Sequence, residues 1–157
     1  GWGGMMHTEC NNCADERIGG PMACQLCGRE NVKTACADEH AEQVALCRWW
    51  SLYARRTGIA ESLLFAIPNG GRRDAVTGAR LKAEGVRAGV PDMFLAVPRK
   101  NAPGLFLELK KQKGGRVSEN QKTMHEALSQ AGYPVCICRG WDEAKRAIED
   151  YIGGTHD

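Results

Sequence analysis

At 157 residues, with 43% hydrophobic and 25% charged side chains, the chain can hold one compact domain with a real core and a small appendage. No apolar run approaches the roughly 18 residues of a membrane span, and no secretory leader or membrane partner is expected. The net charge of +2 is unevenly placed: Gly71 to Lys122 carries 12 Lys or Arg against five Asp or Glu, a basic middle that points to an anionic partner, nucleic acid first.

Residues 7–36 are poor in large apolar side chains and cannot bury much on their own. They hold four of the eight cysteines as two C-x2-C pairs, CNNC and CQLC, ten residues apart. Without a secretion signal, such a count favours metal or free thiols over a disulfide scaffold. Cys10, Cys13, Cys24 and Cys27 have the spacing of a tetrahedral structural zinc site, each pair a knuckle, and zinc would order a segment with so little core. His7, Cys36 and His40 are possible substitutes for one ligand. Cys136 and Cys138 alternate along an apolar stretch and read as small hydrophobes in a strand.

From Asp38 the pattern changes. Val44, Ala45, Trp49, Leu52 and Tyr53 fall at helical spacing in 38–56, with acids in the first turn, arginines in the last and Gly58 as the stop. A short strand follows at 62–67, closed by the loop PNGGRR. Residues 74–85 predict a helix despite Gly78. Strands at 91–98 and 104–111 are joined by RKNAP, a hairpin-length connection. The next helix, 118–132, opens on Ser118 with Gln121 at its third position and ends at Gly132. A strand at 133–139 and an amphipathic helix at 141–152 close the chain. The order α β α β β α β α predicts a mixed α/β domain over 37–153, its central sheet flanked by helices, behind a zinc element over 7–36.

The stretch LFLELKK is the most informative. Side chains alternate across a strand, so Glu108 and Lys110 share one face with Leu109 between them on the other. Ionised groups on a core strand carry a desolvation cost that calls for a partner or a task. Asp92 opens the neighbouring strand, and antiparallel pairing can bring it beside Glu108. Two such carboxylates suit Mg²⁺ or Mn²⁺, with the Leu109 carbonyl at or near the same ion. The plain alternatives are a turn aspartate, an edge-strand charge pair that blocks aggregation, and a capping-box glutamine.

The PD…E-x-K pattern resembles the active site of the PD-(D/E)xK nuclease superfamily. With AIPNGGRRD, LKAEGVRAGVPDMFLAVP, GLFLELKKQKGGRVSENQK and AGYPVCICRGWDEA, residues 38–152 resemble the VRR-NUC branch in its compact phage and bacterial form. The resemblance implies a restriction-endonuclease-like α/β core, with Asp92 and Glu108 as metal ligands, Lys110 as the catalytic lysine and Gln121 as a helper. It also implies an acid from the first helix. Glu39 sets Gln43 and Leu46 where the family has its Gln and its apolar residue, and Glu42 is the alternative. The family's Val-Arg-Arg is here Val86-Arg87-Ala88, which puts one DNA contact in doubt and leaves the chemistry alone. Arg72, Arg73, Lys82, Arg87, Lys111, Lys113 and Arg116 would hold the DNA backbone, near glycine pairs that allow close approach to phosphate.

The implied activity is Mg²⁺-dependent endonucleolytic hydrolysis of branched DNA, leaving 3′-hydroxyl and 5′-phosphate ends, in the cytoplasm of a bacterial or phage-infected cell. Compact members resemble Holliday-junction resolvases and act as homodimers. Trp49, Trp50 and Tyr53 are candidate interface residues, with the core as the commoner place for such aromatics. The rival readings are a flap or nicking nuclease and a catalytically silent, zinc-dependent nucleic-acid-binding module.

Overall fold

The computed structural model describes residues 38–68 and 75–154. The four zinc-candidate cysteines, His7, Cys36, Arg72, Arg73 and the glycines at 70 and 71 lie outside the described residues.

Helix α1 spans Glu39–Thr57. Asp38 caps it by accepting the Ala41 N–H at 2.8 Å, and Gly58 ends it in the left-handed conformation at φ 73°. Its buried stripe is Glu42, Leu46, Trp50 and Ala54, spaced by four. The sequence pattern placed the stripe elsewhere: Leu52 is exposed, while Trp49 and Tyr53 pack against the edge of the core. Trp50 is buried and donates its indole N–H to the Glu61 carbonyl at 2.8 Å, so it is a core residue and not an interface candidate. That bond also pins a 3-10 turn, Glu61–Leu63, which shortens the expected strand to β1, Leu64–Ala66.

Helix α2 covers Ala75–Ala83, and its described side chains are exposed or half-buried. Strand β2 is Met93–Leu95 and β3 is Leu105–Lys110. Helix α3 runs over Glu119–Gln130, β4 over Val135–Arg139 and α4 over Trp141–Gly153. The sheet order is β1-β2-β3-β4, antiparallel except for the parallel β3–β4 pair, whose crossover is α3. This is the mixed sheet with helices that the element order predicts.

Leu105, Leu107 and Leu109 of β3 are buried in one core with Met93, Leu95, Leu46, Trp50, Ala54, Ala144 and Ile148. Each buried leucine stabilises the fold by roughly 1.5–3 kcal/mol, which locks the register of β3. A slip of one residue would turn those leucines onto the opposite face and drive Glu108 and Lys110 in among the apolar side chains.

Candidate active site

Met93 pairs with Leu107, so the antiparallel register carries Asp92, one residue before β2, opposite Glu108. Asp92 is fixed there by the backbone: the Leu109 N–H donates to its Oδ2 at 2.7 Å. The loop that delivers Asp92 is packed tightly. Gly89 has φ 82°, and a Cβ on it would fall 2.2 Å from the Asn120 carbonyl oxygen in the first turn of α3. Only glycine lets these two backbones meet.

Glu108 and Lys110 are buried, at 1% and 6% exposure, with Lys110 Nζ 3.3 Å from Glu108 Oε1. Gln121 bridges them: its Nε2 donates to Glu108 Oε1 at 2.6 Å, and its Oε1 accepts from Lys110 Nζ at 3.2 Å. The same Oε1 accepts the Ser118 N–H at 2.9 Å while Ser118 Oγ accepts the Gln121 N–H, a complete capping box. The capping and the contact with Glu108 are therefore compatible uses of one side chain. One turn further along α3, His125 is buried with Nε2 3.4 Å from Glu108 Oε2.

The electrostatics follow from this packing. Burial first, and the Asp92 charge second, push Glu108 up to about 7, against a smaller pull down from Lys110. Burial and then the Lys110 ammonium hold His125 below the usual histidine range. Two facing carboxylates with one ammonium leave an excess of negative charge in a buried place.

On α1, the two candidate acids part company. Glu39 is exposed in the first turn, whereas Glu42 is buried at 1%. Both Glu42 oxygens are engaged: Gln112 Nε2 donates to one at 2.9 Å and the Trp141 N–H to the other at 2.7 Å. A carboxylate at the start of α4 also meets the positive end of that helix. Of the two candidate acids Glu42 is the inward one, because it continues the Leu46–Trp50–Ala54 stripe and Glu39 does not.

Arg87, Lys82, Lys111, Lys113 and Arg116 are exposed. Arg80, beside them in sequence, is engaged with Glu84 at 2.8 Å. Among the described residues, no group of three or more His, Cys, Asp and Glu side chains is arranged to hold a metal.

The sequence profile of the VRR-NUC domain family matches residues 29–142. This chain belongs to the VRR-NUC domain family. VRR-NUC domains are nucleases of the restriction-endonuclease-like superfamily, so the protein is a nuclease acting on DNA. Its fold is similar to a solved structure named "VRR_NUC domain protein", with a TM-score of 0.64 and 26% identity over 74% of this chain and 89% of that one. No curated protein matches. Within this VRR-NUC chain, His125 is the residue that sequence reasoning missed. Its signal was its place four residues after Gln121, on the same face of α3.

Proposed function

We propose that this VRR-NUC protein is a divalent-metal-dependent, structure-specific DNA endonuclease of the Holliday-junction resolvase kind, acting as a homodimer. The observation that carries the reading is the facing Asp92–Glu108 pair with Lys110 beside it, all on one sheet face.

The donor set fits a hard cation. Two facing carboxylates, with Glu108 pushed up by burial first and by the Asp92 charge second, gain from a divalent ion, and Mg²⁺ commonly takes only one or two carboxylates and keeps its waters. Asp92 and Glu108 would hold it, with the Leu109 carbonyl as the expected third oxygen. When bound, such an ion polarises the phosphodiester and acidifies a water. The remaining work falls to the chain. Asp92 is oriented by the Leu109 N–H and Glu108 by Gln121, so neither carboxylate needs to reorganise. Lys110, held by Gln121, aligns the attacking water and offsets negative charge growing on the phosphate oxygens. The water oxygen bonds to phosphorus as the bond to the 3′ oxygen breaks, and that oxygen takes up a proton. The ends are a 3′-hydroxyl and a 5′-phosphate.

Symmetric cutting of a four-way junction needs two active sites related by a two-fold axis, which supports the homodimer. A structural zinc on Cys10, Cys13, Cys24 and Cys27 is supported by the C-x2-C spacing. The test is cleavage of a labelled four-way junction beside duplex, flap and single-stranded controls, with Mg²⁺ or Mn²⁺, for wild type, Asp92→Ala and Lys110→Ala. Paired cuts in opposite strands, lost in both variants, are expected. Preference for the flap would keep the chemistry and change the role, and binding without cleavage would refute the nuclease assignment for this chain.

A further inference from the structure

Glu108 has two oxygens and an uneven distribution of donors. Oε1 receives both Gln121 Nε2 and Lys110 Nζ, while the partner of Oε2 is His125 Nε2 at 3.4 Å. The imidazole is buried on the inward face of α3, where an aromatic ring of similar size would fill the volume without burying two nitrogens. Among the described residues, no buried side-chain nitrogen or oxygen lacks a hydrogen-bond partner. A ring nitrogen aimed at a carboxylate is the arrangement that fixes a ligand's orientation at a metal centre from outside.

We infer that His125 is a positioning residue: neutral, with its proton on Nε2, it donates to Glu108 Oε2 and sets the plane in which Glu108 presents its remaining lone pair toward Asp92. This rests on the reading of Asp92 and Glu108 as metal ligands. Gln121 and His125, one turn apart on α3, hold opposite oxygens of one carboxylate, so the helix fixes its rotation as well as its position. A carboxylate held at one oxygen turns about that contact; held at both, it does not.

The experiment measures Mn²⁺ affinity of the full-length protein, without DNA, by titration with electron paramagnetic resonance. His125→Gln retains an N–H near the Nε2 position, whereas His125→Phe and His125→Leu fill the space without a donor. Both donor-free variants are expected to bind Mn²⁺ roughly 10–100-fold more weakly, and His125→Gln within roughly threefold of wild type, as for other outer-shell partners. Donor-free variants with wild-type affinity, or a folded His125→Gln as weak as His125→Phe, overturn the inference. The ¹⁵N shifts of the imidazole in wild type give a readout that needs no variant: the Nε2–H tautomer is expected, and Nδ1–H overturns the inference. Asp92→Asn separates the two levels. If it binds Mn²⁺ as wild type does, the metal reading fails and this inference with it; if it abolishes binding while His125→Phe changes nothing, the inference alone fails.

Discussion

Replacing Asp92 by Asn should disable the enzyme and stabilise the metal-free protein at the same time, but only above neutral pH. Asn retains an oxygen that can accept the Leu109 N–H, so the anchor of the β2 loop survives. What disappears is the charge facing Glu108. In the wild type, Glu108 rises from 4.5 to about 7, so the native state holds a proton that the unfolded chain releases between those values. The stability this group contributes is present below about pH 4.5 and is lost as pH rises through about 7. At ~1.4 kcal/mol per pKa unit the whole effect is about 3 kcal/mol. Burial is the larger cause and Asp92 the second, so the Asp92 charge accounts for a part of this, on the order of 1 kcal/mol. Chemical denaturation of Asp92→Asn in EDTA should therefore show a gain of about 1 kcal/mol at pH 8. At pH 5 the gain should vanish or reverse, because protonated Glu108 favours a charged acceptor over a neutral one. Cleavage should be lost throughout. A variant destabilised at pH 8, or equally stabilised at both pH values, would refute the facing-carboxylate argument.

Metal uptake should be linked to the same proton. With Glu108 near 7, Mg²⁺ or Mn²⁺ affinity should rise about tenfold from pH 6 to pH 8, with proton release seen by calorimetry in buffers of different ionisation enthalpy; a flat profile would contradict the assignment of Glu108 as a ligand. Gly89→Ala would force a Cβ into the Asn120 carbonyl at a positive φ. A loss of about 2 kcal/mol or more and weaker metal binding are expected, and a wild-type melting curve would show that the two backbones are not locked together. Glu42→Gln should cost about 1–2 kcal/mol, because a carboxylate at the start of α4 is replaced by a neutral amide. Glu39→Gln, exposed, should stay within about 0.5 kcal/mol; equal effects in thermal melts would erase the distinction between the two acids.

The Asp92–Glu108–Lys110 cluster was legible because it depends on strand alternation and a short hairpin, both local properties. Gln121 was legible twice over, since a capping box is written in adjacent residues. The buried face of α1 was harder to read. Val44, Ala45, Trp49 and Tyr53 make a broad apolar surface, and only packing against β3 and α4 decides that the stripe runs through Glu42, Leu46, Trp50 and Ala54. Glu42 looks like any first-turn acid until the start of α4, 99 residues away, is brought to it. β1 shrank for a similar reason, since the Trp50 indole claims the Glu61 carbonyl and bends the chain into a turn. His125 escaped notice because its significance depends on how α3 crosses the sheet, which no local pattern encodes.

The double use of Gln121 gives the enzyme a thermal fuse. The carboxamide that closes the first turn of α3 is also the one that spaces Glu108 from Lys110. When that turn frays, all three contacts are released in one event, and the catalytic spacing goes with them. Helix ends open locally at a lower free energy than the leucine core. Catalytic capacity should therefore switch off as a local opening while the sheet is still intact, and switch on again upon cooling without any refolding of the domain.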